Sequence, residues 1–361
     1  MMRYETIRGA GRRTFLAGLA AAVAAGLTGG AAGLLATPAQ AEETLTLSSW
    51  VPPGHPLTKD LLIPWGASVE KATNGRVKSN VLPKAPVKPP QTFDAVKNGV
   101  MDVSFVVHGY TPGRFLLTKS AEFPFFGDDA VATSVAYQRM FDKYMAGAGE
   151  HEGVVVLGVF THGPGTIFNT TREIAGLKDF DGLKIRVGGG VVNDIAKAMG
   201  VTALLKPAPE SFELLKNGVV EGVFFPPESV KSFNLGDMIK YTTSIPGGLY
   251  NTSFVMVMNK AKFDGLPKED QDAIMSVSGE ALAKLAGEAW NAADQASWKL
   301  MEEKGIKITK ASDAFVGEMK SRISPLQQAW ADEVKAKYDL DGMKIVAEMQ
   351  AEAKKLHESG M

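Results

Sequence analysis

The chain has 361 residues, a formal net charge of −1, an apolar content of 45% and no cysteine. The length suits one large domain or two modest ones, and the apolar share is ordinary for a globular core. The near-neutral charge, without a basic run, argues against a nucleic-acid partner. Without cysteine, the chain has neither disulfides nor thiolate chemistry.

The first 41 residues have the pattern of an export signal. Arg12 and Arg13 precede Phe-Leu and an uncharged run, and Ala39-Gln40-Ala41 supplies the small residues of a cleavage site. The arginine pair matches a twin-arginine signal. The run at 17–35 is also long enough for a membrane anchor, but its Gly and Ala content and the cleavage motif favour removal. We predict a periplasmic mature chain of residues 42–361. Its net charge is −4, because the signal contains four arginines and one glutamate.

Strand-like and helix-like runs alternate along the rest of the chain. The predicted elements are a strand at 44–50, a helix at 61–75, strands at 76–82, 153–160 and 182–187, a helix at 191–199, a strand at 251–260 and one very long helix at 267–305. Alternating units of this kind predict an α/β fold with largely parallel sheets. Ligands in such folds bind beyond the carboxyl ends of strands, here in a crevice between lobes.

Two segments of the chain repeat each other. Residues 93–105 and 212–224 share a phenylalanine, Lys-Asn-Gly-Val, an acid and a final phenylalanine at the same offsets. Each predicts a helix that ends at Gly99 or Gly218 and leads into a short strand, because glycine adopts the left-handed turn at little cost. The repeat favours two similar lobes, between which the strands 153–160 and 251–260 carry the chain.

A single arginine, Arg186, ends the apolar strand at 182–187 and precedes three glycines and a helix start. A guanidinium offers paired donors that match a carboxylate. The first N–H groups of the helix near Val191 would add donors and partial positive charge, and Gly188–Gly190 would let a ligand approach the backbone. A surface ion pair is the alternative role for Arg186.

Motifs for a nucleotide, a nucleophile or a metal protease are missing from the sequence. Asn193 stands where a dinucleotide fingerprint needs its third glycine. His55, His108 and His162 lie near predicted strand ends, and three imidazoles that met in the crevice could hold zinc. Their spacing matches no metal motif, so we expect polar pocket-lining residues. We therefore predict no cofactor, no metal and no catalytic residue. A periplasmic enzyme or metal-binding protein that uses these histidines is the alternative.

Eight stretches, in order, carry a resemblance to a known family over nearly all of the mature chain. They are WVPPGHPL (50–57), VEKATNGRVK (69–78), FDAVKNGVMDVSF (93–105), GYTPGRF (109–115), PFF (124–126), LKDFDGLKIRV (177–187), PAPESFELLKNGVVEG (207–222) and NKAKFDGLPKEDQDAI (259–274). In them the sequence resembles the periplasmic substrate-binding subunits of tripartite ATP-independent periplasmic (TRAP) transporters, the DctP-like family.

The resemblance implies a two-lobed periplasmic binding protein fold, type II-like, with a long helix that spans both lobes. It also implies hinge closure on a small organic acid and delivery to the subunits of a sodium-driven TRAP permease. We predict lobe I at 42–160 and 248–290. Lobe II is predicted at 161–247 and 291–361 and includes the C-terminal helices. A homodimer through those helices is left open.

Departures from the family pattern bear on the ligand. The arginine of the GLKIR strand, here Arg186, usually pairs with the ligand carboxylate. A second arginine of many members falls on Gly165, a ligand-facing asparagine on Phe225, and an aromatic residue on Ala208. A ligand with several carboxylates or hydroxyls would leave buried polar groups unpaired. We therefore predict a monocarboxylate with an apolar or aromatic body.

Alternation along a strand lets only one of Phe224 and Phe225 face the cleft, and the alignment favours Phe225. The predicted ligand-binding residues are Arg186, Phe225, Trp50, His55, His108, Tyr110, His162, Gly165, Gly188, Ala208, Tyr250 and Asn251.

Overall fold

The computed structural model describes residues 42–361, so the predicted export signal lies outside the described part of the chain. Its strands are β1 Glu43–Ser48, β2 Val77–Val81, β3 Val103–Val107, β4 Val154–Thr161, β5 Thr166–Asn169, β6 Lys184–Val187, β7 Thr202–Leu205, β8 Gly222–Phe225, β9 Tyr241–Ser244, β10 Ser253–Asn259 and β11 Lys307–Lys310. Its helices are α1 Ile63–Ala72, α2 Thr92–Lys97, α3 Ala130–Met140, α4 Val191–Ala198, α5 Ser211–Lys216, α6 Glu228–Ser232, α7 Lys260–Asp264, α8 Lys268–Ser276, α9 Glu280–Glu303, α10 Asp313–Tyr338 and α11 Gly342–Glu358. Within residues 42–361 no helix combines the length and the apolar content that a membrane span needs.

The strands form two sheets with the same internal order. The first runs β2-β1-β3-β10-β4, and the second runs β7-β6-β8-β5-β9-β11. The helix–strand units of the sequence repeat, α2–β3 and α5–β8, occupy equivalent places, beside the strand that enters from the other sheet. The two-lobed α/β architecture predicted from the repeat is therefore present in the structure.

The sheets are mixed, not largely parallel as we predicted. Strand β10 is antiparallel to both of its neighbours, and so is β5. These are the two strands that the chain enters directly from the other sheet. Because no helical crossover precedes them, nothing imposes the parallel direction that β–α units produce. The two crossing segments are hydrogen-bonded to each other, since the Gly165 N–H donates to the Tyr250 carbonyl at 3.0 Å.

The predicted single helix at 267–305 is wrong, because the chain breaks it into α8 and α9. Gly279 has a φ of +59°, which a helix interior does not allow, and its N–H donates to the Leu157 carbonyl of β4 at 2.6 Å. The helix that follows, α9, packs against α3 and β4 on one side and α6 on the other. It is thus the long helix that contacts both lobes.

The C-terminal helices α10 and α11 cover the side of the molecule next to α3. Helix α11 packs on α3, where Arg139 lies 2.5 Å from Glu352, and Trp330 of α10 donates to the Leu116 carbonyl at 2.8 Å. Helix α11 therefore lies against α3. The lobe boundaries, which group residues 291–361 with lobe II, remain a prediction.

Candidate functional site

A pocket lies between the two sheets, beyond the carboxyl ends of β1, β3, β6 and β8. About 480 Å³ of space there is not filled by protein atoms, and this volume includes space open to solvent. Nine of the twelve predicted residues line it, namely Trp50, His55, Tyr110, His162, Arg186, Gly188, Ala208, Phe225 and Tyr250. The position agrees with the rule that ligands bind at the strand ends of α/β folds.

Among residues 42–361, Arg186 is the one arginine or lysine that lines the pocket, and its side chain is buried. Only its Nε is fixed by the backbone, through a 2.9 Å hydrogen bond to the Lys206 carbonyl. The Phe225 ring lies flat against it, with the guanidinium carbon 4.2 Å from the ring centroid. No carboxylate of residues 42–361 lies within ion-pairing distance of this guanidinium. The paired terminal donors are therefore left for an anion from outside the chain.

Burial lowers the pKa of Arg186, because a charged guanidinium loses hydration, and the nearby Tyr110 and Tyr250 hydroxyls oppose this effect. The Tyr110 hydroxyl oxygen accepts the Ala208 N–H at 2.9 Å, which fixes the tyrosine beside the arginine. A bound carboxylate would give Arg186 a charge partner that offsets the hydration lost on burial.

Aromatic rings form one wall of the pocket, leading away from Arg186. Phe225 stacks on Phe233 at 5.7 Å between centroids, Phe233 meets His55 at 5.4 Å, and His55 meets Trp290 at 5.8 Å. These rings are planar and apolar on their faces, so the wall suits a flat ligand body.

A second aromatic wall leads from Arg186 to the same tryptophan. Tyr250 meets His162 edge-on at 5.2 Å, and His162 meets Trp290 at 5.9 Å. The two walls thus start at Arg186 and converge on Trp290. The pocket has a cationic end and an aromatic end, which is the polarity of an aromatic acid.

His55 contributes a ring face and not a hydrogen bond, because both of its nitrogens are engaged. Its Nδ1 accepts the Leu57 N–H at 3.2 Å, and its Nε2 lies 3.0 Å from the Glu228 carboxylate. Glu228 is itself buried. Burial alone would raise its pKa, but His55 and neighbouring serine hydroxyls outweigh that effect and lower it. The buried acid therefore holds the imidazole in place.

We predicted that the start of helix α4 would add hydrogen-bond donors for the ligand, but a carboxylate of the chain itself occupies the first of them. The Val191 N–H donates to Glu122 Oε2 at 2.8 Å, and the other carboxylate oxygen accepts the Ser253 hydroxyl at 2.8 Å. Glu122 and Ser253 belong to the first lobe and Val191 to the second. The partial positive charge at this helix start therefore joins the lobes.

The glycines after Arg186 also serve the contact between lobes. A Cβ atom at Gly189 would overlap the Gly109 carbonyl, and one at Gly109 would lie 2.4 Å from the Gly189 backbone. Only two glycines allow such an approach of backbones. We expected this loop to admit a ligand. Gly188 and Gly189 line the pocket, whereas a Cβ atom at Gly190 would overlap the Glu122 carboxylate.

Three predicted residues lie outside the pocket. His108 packs behind it, with Nε2 2.8 Å from the Nε2 of His151 and Nδ1 3.0 Å from the Ser253 hydroxyl. The Asn251 N–H donates to the Glu122 carbonyl at 3.3 Å. A Cβ atom at Gly165 would lie 2.3 Å from the Tyr250 ring, so the tyrosine fills that space and lines the pocket in place of Gly165.

The histidines considered as zinc ligands do not meet. His55 and His162 lie on either side of Trp290, while His108 pairs with His151 behind the pocket. Residues 42–361 contain no group of three or more histidine, aspartate or glutamate side chains arranged to hold a metal ion.

Sequence reasoning missed Trp290, Phe233 and Glu122. Trp290 stands in a helical run where an apolar residue indicates core, and Phe233 follows a short helix. Glu122 is a lone acid before the apolar run FPFF, and that isolation is the one signal that could have indicated a buried, functional carboxylate.

The chain matches known proteins over most of its length. Residues 47–333 match the family described as bacterial extracellular solute-binding protein, family 7, DctP. A Comamonas testosteroni protein named outer membrane transporter protein TsaT is 33% identical over 300 residues, which are 82% of this chain and 87% of that protein.

Two solved structures share the fold across 87% of this chain and 99% of their own. One is a TRAP periplasmic solute-binding protein from Bordetella bronchiseptica with bound (R)- and (S)-mandelate, 48% identical with a TM-score of 0.84. The other is a marine metagenome TRAP solute-binding protein specific for aromatic acid ligands, with 3-hydroxybenzoate, 33% identical with a TM-score of 0.81. The chain therefore belongs to family 7 of the bacterial extracellular solute-binding proteins, the DctP family of TRAP transporter receptors.

Proposed function

We propose that this protein is a periplasmic receptor for an aromatic monocarboxylate, which it delivers to a sodium-driven TRAP permease. The observation that carries the proposal is a buried arginine without an ion pair, from which two aromatic walls extend. A buried cation is costly unless it is paired, so the pocket is built for one anionic group at Arg186. The rings of Phe225 and Tyr250 suit a flat, apolar body beyond it.

The glycine at the position of a second arginine supports a ligand with one carboxylate instead of two. Where many family members carry that arginine, this chain has Gly165, and Tyr250 occupies the space beside it. In the part of the chain that the structure describes, no second arginine or lysine lines the pocket. A dicarboxylate would therefore bury one charge without a partner. The mandelate and 3-hydroxybenzoate found in the two similar structures are aromatic monocarboxylates, which agrees with this choice.

Two measurements test the proposal. Mass spectrometry of ligand released by denaturing the purified protein identifies the natural occupant. Calorimetric titration then compares benzoate, phenylacetate, mandelate and 3-hydroxybenzoate with succinate, and the tightest-binding member is called the reference acid below. We expect at least one aromatic acid to bind in the micromolar range or tighter and succinate to bind at least a hundredfold more weakly. Tight succinate binding with no aromatic binding would overturn the proposal.

We further propose that the chain reaches the periplasm by the twin-arginine route. The support is the sequence of residues 12–16, RRTFL, together with the small residues before position 42. Replacing Arg12 and Arg13 by lysine should leave precursor in the cytoplasm, because that route recognises the pair. Localisation by cell fractionation tests this. Unchanged periplasmic delivery of the processed protein would show that another export route is used.

A further inference from the structure

Two polar atoms at the aromatic end of the pocket have no partner within residues 42–361. They are Nε2 of His162 and Nε1 of Trp290, both on side chains that are at most 3% exposed. Both residues line the pocket, and their rings are 5.9 Å apart. An unpaired buried polar atom costs free energy, so a pair of them in one cavity indicates a missing polar group.

The chemical character of each atom follows from its surroundings. Nδ1 of His162 is hydrogen-bonded to the carbonyl oxygen of Gly163, which can only accept, so Nδ1 carries the proton. Burial lowers the pKa of His162 to about 4, so the ring is neutral at neutral pH. Its Nε2 is therefore a bare acceptor, whereas the indole Nε1 of Trp290 is a donor only.

A hydroxyl group is the simplest partner for this pair. It donates one hydrogen bond and accepts others, so one oxygen atom can satisfy the histidine acceptor and the tryptophan donor together. A carbonyl or ether oxygen would satisfy Trp290 alone. A carboxylate would place negative charge against the lone pair of His162, which leaves the carboxylate to Arg186.

We propose that the ligand carries a hydroxyl group on its aromatic body or side chain, recognised by His162 Nε2 as acceptor and Trp290 Nε1 as donor. This inference rests on the proposed function, because it takes the carboxylate of the same ligand to be at Arg186. Tyr250 acts on the charge of Arg186 at one end and contacts His162 at the other, so the two ends belong to one pocket. The two nitrogens are specificity-determining and separate from charge recognition.

The test compares matched pairs of acids that differ only by the hydroxyl. The pairs are mandelate with phenylacetate, and 2-, 3- and 4-hydroxybenzoate each with benzoate, measured by calorimetric titration. We expect at least one hydroxy acid to bind tenfold to a hundredfold more tightly than its parent. Its methyl ether should bind no better than the parent, because an ether cannot donate to His162 Nε2. Equal binding within every pair would overturn the inference while leaving the proposed function intact, whereas failure of all these acids to bind would refute both.

Variants assign the preference to the two residues. His162→Phe removes the acceptor and keeps ring volume, and Trp290→Phe removes the donor. Each should reduce the hydroxyl preference, taken as the ratio of the affinities of a hydroxy acid and its parent for the same variant, to within threefold. His162→Gln keeps a carbonyl acceptor and should retain part of the preference. If a variant does not fold, judged by circular dichroism, the methyl ether comparison on the unaltered protein still decides. A hydroxyl preference that persists in folded His162→Phe would refute the role of that histidine.

Discussion

Arg186 and Glu122 are each only 2% exposed. The protein provides hydrogen-bond partners for both oxygens of the Glu122 carboxylate, but it provides no counter-charge for the Arg186 guanidinium. Glu122 receives the Val191 N–H and the Ser253 hydroxyl, one from each lobe. Arg186 has its Nε fixed by the backbone and an aromatic ring against its face, but no counter-charge. A buried charge with internal partners joins the lobes, whereas one without a counter-charge identifies the ligand site.

The comparison also explains why the two sites are adjacent. Arg186 is the penultimate residue of strand β6, and five residues later the N–H of Val191 donates to Glu122. A change of contact between the lobes at the start of α4 would therefore move the strand end that carries the arginine. Ligand binding and closure are expected to be coupled through this short segment, as in hinge closure around a ligand.

Replacing Arg186 should remove the charge that binds the ligand carboxylate, so we expect the largest effect on ligand affinity here. Loss of one partner from a buried charge pair costs about 3–5 kcal/mol, so Arg186→Ala should weaken the reference acid roughly a hundredfold to several thousandfold. Arg186→Lys should also lose much of the affinity, because an ammonium lacks the planar fork. Calorimetric titration measures both. Arg114→Ala, at a half-buried arginine that pairs with Asp94 and does not line the pocket, is the control. Affinity within threefold of wild type in Arg186→Ala would show that the carboxylate is held elsewhere.

Glu122→Gln should show how much the buried carboxylate of Glu122 changes the free energy of unfolding as the pH changes. Burial is the main cause that raises the pKa of Glu122 from 4.5 to about 7, while its bonds to Val191 and Ser253 and the charge of Lys119 lower it. Since the folded pKa exceeds the unfolded one, protonation stabilises the folded protein below pH 4.5, and this contribution is lost as the pH rises through 7. The unfolding free energy of wild type relative to Glu122→Gln should fall by at most about 3 kcal/mol from pH 4.5 to pH 8.

Denaturant unfolding at several pH values measures that difference, with exposed Glu302→Gln as the control. Tyr137 lies near the same serine, and burial together with the charge of Glu122 raises its pKa well above its usual 10, so it stays protonated between pH 4.5 and pH 8 in both proteins. Burial and the neighbouring His151 lower the pKa of His108 in both proteins, so its titration cancels in the comparison. A difference that stays flat between pH 4.5 and pH 8 would mean that Glu122 titrates normally in the folded protein.

The sequence predicts the features that depend on local pattern and misses those that depend on distant contacts. The repeat at 93–105 and 212–224 indicates two lobes, and the strand end before three glycines indicates Arg186. The break at Gly279 is hidden, because helical periodicity continues on both sides of it and the cause is a bond to Leu157. The roles of Glu122 and Gly109 are hidden as well, since each depends on a residue that the other lobe brings close.

Gly109→Ala should push the lobes apart where they meet, while leaving the side chains of Arg186 and Glu122 in place. A Cβ atom there would lie 2.4 Å from the backbone of Gly189, which has no side chain to move aside. Overpacking of this kind costs about 1–3 kcal/mol, so closure should be disfavoured and the reference acid should bind roughly tenfold to a hundredfold more weakly. Small-angle scattering with saturating acid should show less compaction than in wild type. Gly147→Ala has open space around its Cβ and is the control. Full compaction and unchanged affinity in Gly109→Ala would argue against closure at this contact.

Phe225→Asn should change which ligands the pocket prefers more than it changes the affinity for the reference acid. The ring against Arg186 contributes a cation–π contact of about 0.5–2 kcal/mol, so the reference acid should weaken about tenfold. The amide should favour hydroxylated acids, so gluconate should gain affinity in the same titrations. The neighbouring Phe224 provides the matched control, because it faces the opposite side of β8 and contacts Phe180. Phe224→Leu should lower the unfolding free energy by about 1 kcal/mol and leave ligand affinity unchanged. If Phe225→Asn and Phe224→Leu weaken the acid equally, the loss reflects a disturbed strand, and Phe225 does not form the wall that selects an aromatic ligand.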